Sequence, residues 1–368
     1  MALRKQPPEF RAWTENVAGA IGDPVRRLRF LRAVGPAPAR RGNKSRRRVL
    51  SLLVSAAAVA VLVIFLFSRA AARVAPPPPP PAPRAPVAAR PAGVQPVWEV
   101  EDRNGVEVYS NGLRIENRGA VSNHPRSFLA FPAGGGEPVR RNQPAGIVFH
   151  STESQIAPFE AGHNQALRRI GESLLEYVRR RRSYHFLIDR FGRVFRVVAE
   201  SDTADHAGHS VWADSESAYL NLNESFLGIA FEARTDAAPG EPAMTTAQAR
   251  SALMLVEMLR ARYRIPAGNC VTHAQVSVNP SNMRVGYHVD WYSGFPFADV
   301  GLPDNNAAAL PSVWMFGFQC DPGLLAAGNE AAEAILARDA AAESLTPMAY
   351  RKRLQQKYRQ KMAVVKRD

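Results

Sequence analysis

The sequence has little cysteine, two residues in 368. That excludes a disulfide-dense scaffold and a four-cysteine zinc site, and permits at most one intrachain bridge, Cys270 to Cys320. A second shortage is local. Residues 1–48 hold three acids, Glu9, Glu15 and Asp23, against 13 Lys and Arg, so they carry +10 of the formal +14. A third is a gap in charge altogether: Val49 to Phe67 is 19 residues without a charged side chain, its only polar members Ser51 and Ser55. Apolar residues are not scarce overall, at 46%. Wholesale disorder is therefore excluded.

As a helix the uncharged run would be about 28 Å long, close to the ~30 Å hydrocarbon layer of a bilayer. It is too long, and too far from the start, for an ordinary secretory signal. Arg46, Arg47 and Arg48 abut it, with Arg41 and Lys44 just upstream, whereas only Arg69 and Arg73 follow within ten positions. This asymmetry predicts a single transmembrane helix over 49–67 with residues 1–48 as a basic cytoplasmic segment. The remainder would then lie beyond the inner (cytoplasmic) membrane, in the periplasm or its extracytoplasmic equivalent. The basic segment reads as a topology signal beside anionic head groups, not as a nucleic-acid-binding arm. Pro76 to Pro81 is an unbroken proline run, continued by Pro83, Pro86, Pro91 and Pro96. Residues 68–97 are thus expected to be a semi-rigid polyproline II linker.

The folded part follows. Trp98 to Glu116 alternates apolar and polar residues around Asn104-Gly105 and Asn111-Gly112, strong hairpin signals that predict a small meander within a lead-in of 98–143. From 144 to 322 apolar strands and amphipathic helices alternate. Strands are expected over 146–150, 184–188, 194–198, 226–232 and 269–273. Helices are expected over 166–180 and from Thr245, with Gln248 as its capping-box partner, to about Tyr263. Mixed in this order they imply an α/β fold with a central mixed sheet flanked by helices. Residues 323–368 form a basic helical tail with eight Lys and Arg between Arg351 and Arg367. A solvated helix face is its plain reading, and attraction to anionic wall polymers or a partner is the alternative.

Of eight histidines, all but His124 lie between 150 and 288. His150 and His273 each close an apolar strand, and His288 and Asp290 follow in a loop. Strand-end side chains project into the crevice where such sheets bind ligands. Two imidazoles and a carboxylate are a proper set for catalytic zinc with one position open. Each histidine taken alone is more often structural.

Seven blocks in order, GIVFHST (146–152), YHFLIDRFGRVF (184–195), DHAGHS (205–210), NESFLGIAFE (223–232), the helix with Gln248 and Tyr263, VTHAQVSVNP (271–280) and HVDWYSGFPF (288–297), resemble the type 2 zinc-dependent N-acetylmuramoyl-L-alanine amidases. That family includes phage amidases and peptidoglycan-recognition proteins. The resemblance covers roughly 144–300. It implies a Zn2+ cofactor, peptidoglycan as partner, and cleavage of the amide between N-acetylmuramic acid and L-alanine. It further implies His150, His273 and Asp290 as metal ligands and Tyr184 beside the water, with His206 and Asn223 lining the substrate groove. His288 stands where members often carry Lys, and would stabilise the oxyanion if protonated. Ala230 stands where a catalytic Glu follows the Gly-Ile pair in some members, so the chain resembles the Tyr-bearing branch. The stretch from His273 to Asp290 is longer than usual, which makes His288 a competing ligand. A non-catalytic peptidoglycan receptor on the same fold is the alternative function.

Overall fold

The computed structural model describes residues 95–367 apart from 236–242, 289, 293 and 327–329. The expected basic segment 1–48, the transmembrane helix 49–67 and nearly all of the linker 68–97 lie outside the described residues. Among the described residues no helix is long and apolar enough to cross a membrane.

A meander opens the fold: β1 (Glu99–Arg103), β2 (Val106–Tyr109) and β3 (Arg114–Glu116). Asn104 and Gly105 both adopt positive φ, 56° and 74°, the backbone that a two-residue hairpin turn of right-handed twist requires. After β4 (Phe128–Pro132) and β5 (Val139–Arg141) comes β6 (Gly146–Ser151), then α1 (Asn164–Arg181). Next are β7 (Phe186–Ile188), β8 (Val194–Arg196), β9 (Val211–Ala213), β10 (Ser217–Leu220) and β11 (Phe226–Phe231). Helix α2 (Thr246–Tyr263) and β12 (Cys270–Thr272) complete the layer.

The central sheet has eight strands in the order β1-β2-β3-β8-β7-β11-β6-β12. Strands β7, β11, β6 and β12 run parallel, and β8 returns antiparallel to β7. The sheet is mixed. The meander is continuous with it, because β3 pairs with β8. A second sheet, β5-β4-β10-β9, lies beside it.

Every residue of β6 and β11 is buried, as their near-continuous apolar runs demand of strands covered on both faces. Ile147, Phe149, Ile229 and Phe231 pack with Leu255, Val256 and Leu259 of α2. On the opposite face Ala230 and Leu187 pack with Val178 of α1. Alternation along β6 therefore sends Val148 and His150 to the face opposite α2.

Beyond β12, a short hairpin pairs β13 (Val278–Asn279) with β14 (Arg284–Val285), and β15 (Gln319–Cys320) joins it. Helices α3 (Glu330–Ala342) and α4 (Pro347–Val365) end the described chain. They are packed on the domain: Leu336, Tyr350, Leu354 and Tyr358 are buried in one cluster with Phe316 and Phe318. Arg351 bonds Glu333 at 2.6 Å. Only the other face of α4, with Lys352, Arg353, Lys357 and Arg359, is exposed. Cys270 and Cys320 are free thiols buried in different clusters, so the bridge the sequence allowed is not formed.

Candidate metal centre

His150, His273 and Asp290 come together although 123 and 17 positions separate them in sequence. Strand β12 runs beside β6 with Thr272 opposite Phe149, so the next residue, His273, is level with His150. Their ring centroids are 4.5 Å apart. Strand β12 stops at Thr272, and His273 opens a helical turn capped by Thr272 and Gln275. Asp290 lies between the imidazoles: Oδ1 is 2.9 Å from Nδ1 of His273, and Oδ2 is 3.4 Å from Nδ1 of His150. The three offer donor atoms all within 4.8 Å of one another, and all three are buried.

The longer connection to Asp290 folds as the β13–β14 hairpin and delivers the carboxylate without slack. Thr272 Oγ1 donates to the carbonyl of Trp291 at 3.0 Å, and the N–H of Ala274 donates to that of Asp290 at 3.3 Å. Phe295 then stacks on Phe149 at 4.4 Å, pinning the segment beneath the sheet. His288 is not in the donor cluster. Its ring stacks on His273 at 4.3 Å.

The electrostatics suit a cation. Burial, with the neighbouring His273, lowers the pKa of His150 to about 4, leaving a neutral imidazole with a free lone pair. Burial alone would raise the Asp290 pKa, but the neighbouring His273 and His150 hold it well below the carboxylate range. Two imidazoles and a carboxylate converging in a buried site match the donor chemistry of zinc. The residues fit the ion. Burial and Asp290 push the Tyr184 hydroxyl well above its ordinary value, so it is a proton donor at neutral pH. Its ring is 5.0 Å from His150. Burial and His273 lower the pKa of His288, which disfavours the imidazolium form that an oxyanion-stabilising role requires.

The two residues expected along the substrate groove, His206 and Asn223, are joined to each other and to the metal cluster by hydrogen bonds. His206 is buried, with Nδ1 3.1 Å from Nε2 of His150. Asn223 Oδ1 accepts from three consecutive backbone N–H groups, those of His206, Ala207 and Gly208, at 3.0, 2.6 and 3.2 Å. Gly228 was not anticipated by sequence reasoning. A Cβ there would stand 2.7 Å from Cγ of His206. A glycine inside an otherwise apolar strand was the available signal. His185 is fully buried and accepts from the Gly228 N–H at 2.9 Å. A cleft of about 700 Å³ begins two residues beyond His150, lined by Thr152, Gln155, Arg169, Leu174 and Tyr177 among others.

Residues 140–285 match the family model described as N-acetylmuramoyl-L-alanine amidase. No curated protein sequence matches the chain. Among solved structures, it is similar to the N-acetylmuramyl-L-alanine amidase AmiD of E. coli, solved with anhydro-N-acetylmuramic acid-L-Ala-D-gamma-Glu-L-Lys. The identity is 23% over 47% of this chain and 58% of that one, with a TM-score of 0.29. It is also similar to AmpDh3 of Pseudomonas aeruginosa in complex with anhydromuramic pentapeptide, at 24% identity over 43% and 58% with a TM-score of 0.30. The Drosophila peptidoglycan recognition protein SD gives 19% identity over 45% and 85%, at 0.28. The chain thus spans little more than half of the first two, and overlaps this partial carry no argument of their own. The family model and the ordered blocks agree on one stretch: residues 140–285 match the N-acetylmuramoyl-L-alanine amidase family.

Proposed function

We propose that this chain is a zinc-dependent N-acetylmuramoyl-L-alanine amidase acting on peptidoglycan. One observation carries the reading: the buried His150–Asp290–His273 cluster, with donor atoms within 4.8 Å, lies in and just beyond the family-matched segment. His150, His273 and Asp290 would hold the ion. Bound there, zinc supplies Lewis acidity at the amide carbonyl and hydroxide near neutral pH.

The chain's own residues do the rest. Asp290 keeps its negative charge at any physiological pH. The Tyr184 hydroxyl stays protonated and can donate a hydrogen bond to charge developing on the carbonyl oxygen, a kind of contact worth roughly 3 kcal/mol where one donor has been removed. His288 covers the outer face of His273 and limits water access to that ring. The neighbouring cleft gives an extended substrate a place to lie.

Membrane anchoring through 49–67, with the catalytic domain extracytoplasmic, belongs to the same proposal and is supported by the charge asymmetry around that run. Protease protection in intact spheroplasts, with reporters on either side of 49–67, tests it. Two measurements test the enzyme: zinc content of the purified full chain, and release of L-Ala N-termini from sacculi with and without chelator. Stoichiometric zinc and chelator-sensitive release are expected, both abolished in Asp290→Ala. A folded chain that binds sacculi, holds no zinc and frees no amine would be a receptor instead.

A further inference from the structure

We propose that His206 is a positioning residue that sets the tautomer and aim of His150, and that Asn223 and Gly228 serve to place it. The role rests on the zinc reading for its purpose. Its geometry stands independently.

The chain of reasoning starts at a backbone carbonyl. Nε2 of His206 is 3.3 Å from the carbonyl oxygen of Phe226. A carbonyl can only accept, so in the neutral imidazole Nε2 carries the hydrogen and Nδ1 is bare. That bare Nδ1 lies 3.1 Å from Nε2 of His150, which must then be the protonated nitrogen of its own ring. Nδ1 of His150 is left with its lone pair, 3.4 Å from Oδ2 of Asp290. Two acceptors facing each other at that distance repel unless a cation lies between them. Carbonyl, His206 and His150 thus form a relay that leaves one defined nitrogen free to coordinate. Hydrogen-bonded partners of this kind fix the orientation and tautomer of ligating histidines.

Two further features place the relay. Asn223 gathers the three amides of residues 206–208 around one oxygen, which fixes the loop that carries His206. Gly228 provides the gap: any side chain there would drive a Cβ to 2.7 Å from the His206 ring. The register pairs Gly228 with Val148 and Ala230 with His150, so His206 lies over the sheet one pleat below the ligand. The side chain of His150 reaches back over the sheet to meet it.

The test has two readouts besides turnover. Long-range 1H–15N spectra of the apo full chain should show His150 in the Nε2–H tautomer, and His206→Leu should convert it to a mixture. Zinc affinity, measured by competition with a chromogenic chelator, should weaken by ~10–100-fold in His206→Leu. His206→Asn, which keeps an acceptor near the Nδ1 position, should stay close to wild type. Asn223→Ala, outside the ring contact itself, should shift both readouts in the same direction by a smaller amount, and it decides the matter if His206→Leu does not fold. Wild-type tautomer and wild-type affinity in these variants would overturn the positioning role while leaving the zinc reading intact. A wild-type chain without zinc affinity, yet with a tautomer that depends on His206, would sink the zinc reading and leave the relay standing.

Discussion

Glu232 is a buried carboxyl with one oxygen accepting from the Arg190 N–H at 3.2 Å and the other unpartnered among the described residues. Burial raises its pKa from 4.5 to about 7. The folded state therefore holds this proton more tightly than the unfolded chain. Its contribution to stability is full below about pH 4.5 and is lost as pH rises toward 7, by about 3 kcal/mol at most. Glu232→Gln keeps the acceptor for Arg190 and removes the titration. Urea unfolding at pH 5 and pH 8 should show the variant less pH-dependent than wild type and more stable than it at pH 8. An unchanged difference between the two pH values would show that the carboxyl is ionised at both. The carboxyl lies over Gly171 of α1, where an added Cβ would stand 3.3 Å from Oε2. The three clustering residues were legible in ordered blocks, but the direction of His206 was not. It depends on a ring lying across a glycine 22 positions away, a contact with no local signature.

At the scale of elements, local rules decided most of the outcome. Helix α2 starts at Thr245 with both halves of the capping box formed, Thr245 Oγ1 to the Gln248 N–H at 3.1 Å and Gln248 Oε1 to the Thr245 N–H at 3.0 Å. Thr245→Ala should cost about 1 kcal/mol in denaturant unfolding and leave zinc affinity unchanged. A loss of zinc binding would mean that the helix start shapes the site. Where elements differ from the sequence reading, the backbone explains it. The strand expected from Tyr184 begins at Phe186, because Tyr184 has φ +65° and extended pairing needs negative φ. The connection between His273 and Asp290 carries an Asn279-Pro280 turn signal, but the strands on either side are only two residues long, too short to show alternation, so its β13–β14 hairpin was not foreseen. That hairpin is what returns Asp290 to His273.

For the molecule as a whole, the helical tail was legible as helix but not as part of the core. The apolar residues at 350, 354 and 358 follow a helical stripe, yet the eight cations of Arg351 to Arg367 drew the reading toward solvent. Arg351 is itself turned inward, onto Glu333 and the carbonyl of Phe318. Arg351→Ala would leave the Glu333 carboxylate buried and unpaired, and should destabilise the chain by about 3 kcal/mol, read as a lower unfolding midpoint. Zinc binding below that midpoint should be unaffected, since Arg351 makes no contact with the metal cluster. If the midpoint does not move, the two C-terminal helices contribute little to holding the domain together.

The two outermost strands of the central sheet are finished differently. Next to β12, Asn305 donates to the carbonyl of Cys270 at 2.9 Å. The opposite border is β1, exposed along its whole length, with Glu99, Glu101, Asp102 and Arg103 as four of its five residues. A sheet of eight strands can recruit a ninth from another molecule wherever its ladder is left open. Here an incoming strand would have to bring its backbone against a row of hydrated ionic groups, which discourages stacking into fibrils and keeps the ladder finite.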